Sequence, residues 1–324
     1  MDKIAIIGTG QVGSTTAQLL ASNNVCSEIV LIGRDDKKAK GIALDIEHAN
    51  SLSDSDVTVN GSNCFDDLTN AKVVVITNGM TRKPGMSRLD LMDANRKVID
   101  PVLNAVMKHA PDALLIMVTN PVDVLTYYAW KKTGWDKNRI MGLSCVLDSA
   151  RMTSLIAKHT GFSVSDITAM VIGGHGDSML PLPEYSAIKG TPIENILSKE
   201  QINDIVLNTR NAGTAIVEMK GSSGYVAAAA SISKMIDVIV NNKRQILPCV
   251  GVADGNYQLN DVAIGLPMLI SGMGIEEIVA IHLTDEQMHL LHISANEVME
   301  KIKQLQDTDA TYQTKPVLFK YNFN

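Results

Sequence analysis

Residues 3–20 read KIAIIGTGQVGSTTAQLL, an apolar run that breaks into Gly8, Gly10 and Gly13 and then into a helical pattern. A GxGxxG spacing alone is a weak signal. Here a buried strand precedes it, a helix follows, and a second apolar strand, EIVLIG (28–33), completes a βαβ unit. Gly8 permits the tight turn, Gly10 lets the backbone approach a pyrophosphate, and Gly13 lets the helix pack on the strand. The helix N-terminus then faces phosphate charge. Thr9, Gln11 and Val12, within the turn, are expected beside the same dinucleotide, as are Asn95, Val118 and Asn120 farther along.

Outward from this unit the pattern repeats. DVTVNG (56–61), KVVVITNG (72–79), LLIMVTNP (114–121) and RIMGLS (139–144) are short β-branched runs separated by helical stretches. Uninterrupted apolar strands alternating with helices predict a parallel sheet covered on both faces. After about residue 147 helices come first (148–161, 199–221 and 222–242), then β-rich segments (246–255 and 261–271), then a long helix from near Thr284. The expected fold is α/β: an N-terminal Rossmann doubly wound parallel sheet (1–147), followed by an α+β substrate and catalytic domain (148–306). Without a low-complexity linker the halves should share an extensive interface. A tail, 307–324, reads as an edge strand or a partner-binding arm.

The composition excludes several function classes. With 45% apolar residues in 324, the chain can bury a substantial core. Its formal charge of −6 is interspersed, with no basic block for nucleic acid or an anionic membrane, so small molecules are the expected partners. The most apolar helix, YVAAAASISKMIDVIV (225–240), is interrupted by Lys234 and Asp237. The opening MDKIAIIG carries no charged leader, which makes a cytoplasmic location the expectation. Cys26, Cys64, Cys145 and Cys249 lack metal spacing, so reduced, mostly buried thiols are expected. His282, His289 and His292 read as solvated helix histidines, and no metal is expected.

The end of the second strand departs from the NAD pattern. That position usually carries an acid whose carboxylate accepts hydrogen bonds from the ribose hydroxyls. Here it is Gly33, and Arg34 follows. A repelling carboxylate is missing and a guanidinium stands beside, which favours NADP over NAD. Asp35 and Asp36 come next, and either could restore the NAD arrangement if the strand ended two residues later.

Three further stretches carry chemistry. VLDSARM (146–152) sets Asp148 and Arg151 on one helix face, although an acid near a helix start is often only a cap. MVIGGHGDSMLP (170–181) puts His175 between glycines after an apolar strand, where a side chain whose pKa lies near neutrality can serve proton transfer. TNGMTRKPGMSR (77–88) places Arg82 and Arg88 around a Pro-Gly turn, either as a solvated basic loop or as a lid.

Together GTGQVG, TNGMTRKPGMSR, TNPVDV, VLDSAR and IGGHGDSMLPL resemble the lactate/malate dehydrogenase family, in its order and spacing, over roughly residues 3–306. The loop looks like its malate version, since lactate enzymes carry glutamine in place of Arg82. The resemblance implies reversible hydride transfer between malate or oxaloacetate and a nicotinamide dinucleotide, the malate step of the tricarboxylic acid cycle. It assigns Arg151 to the proximal carboxylate, Arg82 to the distal one and Arg88 to the reacting oxygen. Asn120 would border the substrate after a cis peptide bond to Pro121. His175 would be the acid/base, oriented by Asp148. Such relatives are dimers or tetramers, and a homotetramer is favoured. The competing readings are a lactate or broader 2-hydroxy acid dehydrogenase, and a noncatalytic dinucleotide sensor. The sensor would have no reason to keep His175, Asp148 and three arginines together.

Overall fold

The computed structural model describes residues 2–80 and 86–307. Its first half alternates as the apolar pattern dictates: β1 (Lys3–Ile7), α1 (Gln11–Ser22), β2 (Glu28–Ile32), α2 (Asp36–Asn50), β3 (Thr58–Ser62) and β4 (Ala71–Ile76). Then come α3 (Arg88–His109), β5 (Leu114–Met117), α4 (Val122–Thr133) and β6 (Ile140–Gly142). These six strands are parallel in the order β3-β2-β1-β4-β5-β6. The order reverses between β1 and β4, and the crevice at such a switch point is where doubly wound sheets take ligands.

The second half contains α5 (Cys145–Thr160), β7 (Ile167–Gly173), β8 (Met179–Ile188), β9 (Thr191–Pro192), α6 (Lys199–Lys220) and α7 (Val226–Val240). It finishes with β10 (Gln245–Asp254), β11 (Asn260–Ser271), β12 (Gly274–Ile278) and α8 (Asp285–Asp307). Its strands pair antiparallel and extend the parallel sheet, β10 joining β6 through Val250 and Gly142. The two halves therefore share one sheet as well as an interface. The alanine-rich α7 packs on α1 and α5 and buries Ala228, Ala229, Ile232 and Ile236 within the chain, while Ala227 and Ala230 are exposed. Strands β8 and β12 were not legible beforehand; β8 carries Pro181 and Pro183, which argue against a strand by composition.

Local signals set the ends that matter for the site. Ser87 and Asp90 form a reciprocal capping box that starts α3, each bonding the other's backbone N–H at 3.0 Å. Helix α5 begins at Cys145, so Asp148 lies a turn inside it and is fully buried rather than capping its end.

One junction ties the sheet to the chemistry. Strands β11 and β7 meet through Gly265 and Gly173, and a Cβ on Gly265 would overlap Cys145 Sγ and approach the Gly173 carbonyl oxygen to 2.6 Å. Gly265→Ala is expected to lower stability by about 1–3 kcal/mol through overpacking, read as a lowered denaturant midpoint. Because Gly173 lies two residues before His175, turnover should fall as well. An unchanged midpoint would show that the junction tolerates a methyl group.

Candidate active site

His175 stands on the turn between β7 and β8, flanked by Gly174 and by Gly176, whose φ of +114° lies where side-chain-bearing residues are strained. The backbone there is held from two sides. The His175 N–H donates to Asp123 Oδ2 at 3.0 Å, and the Gly174 N–H donates to Ser294 Oγ at 2.8 Å. The imidazole keeps 22% of its surface exposed, with Nδ1 3.0 Å from Asp148 Oδ2. A carboxylate there makes Nδ1 the donor and leaves Nε2 as the nitrogen that can take a proton.

Asp148 serves two partners. Its Oδ1 accepts from Arg151 Nη1 at 2.7 Å while Oδ2 holds the histidine. Arg151 is largely buried, its Nε is enclosed without a partner, and no described residue bonds its Nη2. A guanidinium with spare donors in a closed site suits a ligand carboxylate. Burial alone would lower the His175 pKa; the Asp148 hydrogen bond and charge, with Asp123's charge, outweigh it and raise it. Arg151 offsets part of that rise. Asp123, buried with Oδ1 unpartnered, is itself pushed up by desolvation.

The crevice at the β1/β4 switch point is a cavity of about 630 Å³. Gly8, Thr9 and Gly10 line it, with Gly33 and Arg34 at the end of β2. A Cβ at Gly13 would overlap the Gly8 carbonyl, so that glycine is required by helix packing. At Gly10 nothing lies within 4 Å, so no protein atom demands a glycine and the free space faces the cavity. That is the cradle a pyrophosphate needs, and the residues present fit a nicotinamide dinucleotide.

Not every residue assigned from sequence lines this cavity. Asn95 is fully buried, receives the Met80 N–H at 2.6 Å, and donates to the Met80 and Asn120 carbonyls at 3.1 and 2.7 Å, so its amide brackets two loops. Gln11 and Val12 open α1, and Val118 donates to the Ile76 carbonyl just past β5. The Asn120–Pro121 peptide is cis, and Asn120 is exposed. Arg82 lies outside the described residues; Arg88 is the first residue of α3, its side chain outside them. His292, read as solvated, is part-buried with Nε2 2.8 Å from the Tyr257 carbonyl. Cys26, Cys145 and Cys249 are buried and Cys64 is exposed. Sequence reading missed Asp123 and Ser294, which sit 52 and 120 positions from the backbone they hold.

A family model described as lactate/malate dehydrogenase, NAD binding domain, matches residues 2–142, and the family's alpha/beta C-terminal domain matches 145–308. The chain belongs to the lactate/malate dehydrogenase family. It is 48% identical over 286 residues to the malate dehydrogenase of Nitrosococcus oceani, covering 88% of this chain and 92% of that one. Among solved structures it resembles Cryptosporidium parvum malate dehydrogenase, with a TM-score of 0.91, 35% identity, and 94% and 99% of the two chains covered. It matches Eimeria maxima lactate dehydrogenase, solved with NADH and oxamate, at a TM-score of 0.91 and 37% identity, covering 97% of each. The family's fold therefore does not separate malate from lactate enzymes; side chains must.

Titrating the His175 ring by NMR should place its pKa above the ordinary imidazole value of about 6.5. Asp148→Asn should lower it, and Asp123→Asn should lower it less, since only Asp148 touches the ring. A His175 pKa unmoved by Asp148→Asn would break the pairing assigned here.

Proposed function

We propose that the protein is a malate dehydrogenase that moves a hydride reversibly between malate or oxaloacetate and NAD(P). The observation that carries this is that one buried carboxylate, Asp148, holds the histidine assigned as acid/base with one oxygen and the arginine assigned to the substrate carboxylate with the other. Arg82, in TRKPGMSR, supplies the choice of a dicarboxylate.

A bound nicotinamide dinucleotide supplies or takes the hydride. In oxidation, His175 Nε2 receives the proton of the substrate hydroxyl, and Asp148 stabilises the resulting imidazolium through Nδ1. In reduction the same nitrogen returns the proton to the carbonyl oxygen. Arg151 holds the carboxylate next to the reacting carbon, so that this oxygen meets the histidine rather than solvent. Arg88, at the start of α3, is assigned to the negative charge that gathers on the carbonyl oxygen. Asn120 is assigned to the rim of the substrate site. Arg82 is assigned to the distal carboxylate; pyruvate would leave it desolvated and unpaired.

The finer cofactor choice follows from β2. Asp35 caps α2, accepting from the Lys38 N–H at 3.1 Å, and Asp36 pairs with Lys40 at 2.7 Å. Both acids that could have replaced the missing strand-end carboxylate are engaged elsewhere, and Arg34 lines the cavity. These contacts support use of NADP at least as readily as NAD. Among the described residues no helix is long and apolar enough to cross a membrane. A cytoplasmic homotetramer completes the proposal.

Two tests follow. The purified protein should reduce oxaloacetate far more efficiently than pyruvate, by up to roughly four orders of magnitude in kcat/KM, and Arg82→Gln should narrow the gap. Equal efficiency on both acids would remove the distal-carboxylate role. The raised His175 pKa also has a direction: above it the imidazolium is lost. Oxaloacetate reduction, which needs the proton, should therefore fall as pH rises through that pKa, and malate oxidation should rise. Asp148→Asn should shift both limbs to lower pH, which kcat/KM profiles in the two directions would show.

A further inference from the structure

The cavity wall at the end of β2 contains more than an absent carboxylate. Three cations line the cavity: Arg34, Lys38 and Lys97. Lys97 pairs with Asp93 at 2.6 Å, a carboxylate it shares with Arg96. Arg34 and Lys38 have no carboxylate partner among the described residues, although Asp35 and Asp36 lie between them in sequence. The reason is local. Asp35 turns its carboxylate onto the backbone N–H of Lys38 to cap α2, and Asp36 reaches down the helix to Lys40. Capping thus withdraws Asp35 from the cavity and fixes Lys38 in the first turn. Two uncompensated cations remain on one rim.

The same rim excludes a carboxylate by shape. A Cβ on Gly33 would lie 2.6 Å from Thr9 Cγ2 and 2.7 Å from Thr9 Oγ1. Thr9 is a short, β-branched side chain with little freedom to move away. The place where a ribose-binding acid would begin is already occupied, so Gly33 and Thr9 together keep the neighbourhood free of negative charge.

We propose that Lys38 joins Arg34 in a two-cation clamp for the 2'-phosphate of the adenosine ribose, making it a second specificity-determining residue for the phosphorylated dinucleotide. This rests on the NADP part of the proposed function. Arg34 offers planar, paired donors to phosphate oxygens, and Lys38 adds a compact charge from the first turn of α2.

Calorimetric titration of the full chain with 2',5'-ADP and with 5'-AMP tests the clamp without turnover. The parent protein should bind 2',5'-ADP more tightly. Arg34→Ala and Lys38→Ala should each weaken 2',5'-ADP roughly 10-fold or more, leaving the 5'-AMP affinity near the parent's. Lys38→Glu should weaken 2',5'-ADP further by repulsion. If the parent binds both probes equally, the NADP reading fails and the clamp with it. If the parent favours 2',5'-ADP and only Arg34→Ala removes the preference, the NADP reading stands and the role of Lys38 is overturned. Equal weakening of both probes by Lys38→Ala would also overturn it, as damage to α2.

Discussion

A carboxylate with no exposed surface is the constraint on which this site depends. Asp148 is taken fully out of water, and an ion so buried persists only when cations and donors meet both oxygens. Arg151 satisfies one and His175 the other, so the arginine assigned to the substrate carboxylate and the histidine assigned to its proton share one anchor. Losing a partner of such a buried ion costs about 3–5 kcal/mol, which keeps the three groups together. Arg151 is one turn along α5 from Asp148, a spacing the helix guarantees. His175 is 27 positions away on another element, and only the sheet can deliver it.

That delivery explains the density of small residues around the turn. The β11–β7 junction brings backbone to backbone at Gly265 and Gly173, and α5 lays Cys145 against the same point. Asp123 from α4 and Ser294 from α8 then pin the two N–H groups of Gly174 and His175. Four elements converge on a short segment, so the imidazole is positioned by hydrogen-bonded backbone together with its ring contact to Asp148. A proton-transfer group held this way can keep one face exposed to a substrate without losing its orientation.

How much of this was legible in sequence depended on the range of the interaction. The six parallel strands and their helices follow from apolar runs and glycines within about twenty residues of one another, and they were readable. His175, Asp148 and Arg151 were readable by residue type and turn context, but the sharing of Asp148's oxygens was not, since no pattern encodes it. Nothing in the pattern marks Asp123, an acid at a helix start, or Ser294, one polar residue on a long helix. The inward turn of Asn95 is equally unmarked in sequence, since its amide bonds Met80 and Asn120, 15 and 25 positions away. Strand β8 hid behind two prolines: Pro183 falls in the register shift between the Thr168 and Met170 pairings, which composition cannot show, and Pro181 pairs with Val171.

The end of β2 shows why a missing residue type can carry as much meaning as a present one. Were Gly33 only an acid lost by chance, the space beside it would be open, and a single substitution could restore it. Thr9 occupies that space, so the phosphate turn and the strand end are fitted to each other. Asp35 could still have supplied the charge from the next turn, but α2 needs a cap and takes its carboxylate. Two independent local requirements, side-chain packing at Gly33 and capping at Asp35, thus remove negative charge from the same rim where Arg34 and Lys38 remain. On the proposed reading, this chain's cofactor preference follows from how the residues at the start of α2 partition their charges between the helix end and the cavity.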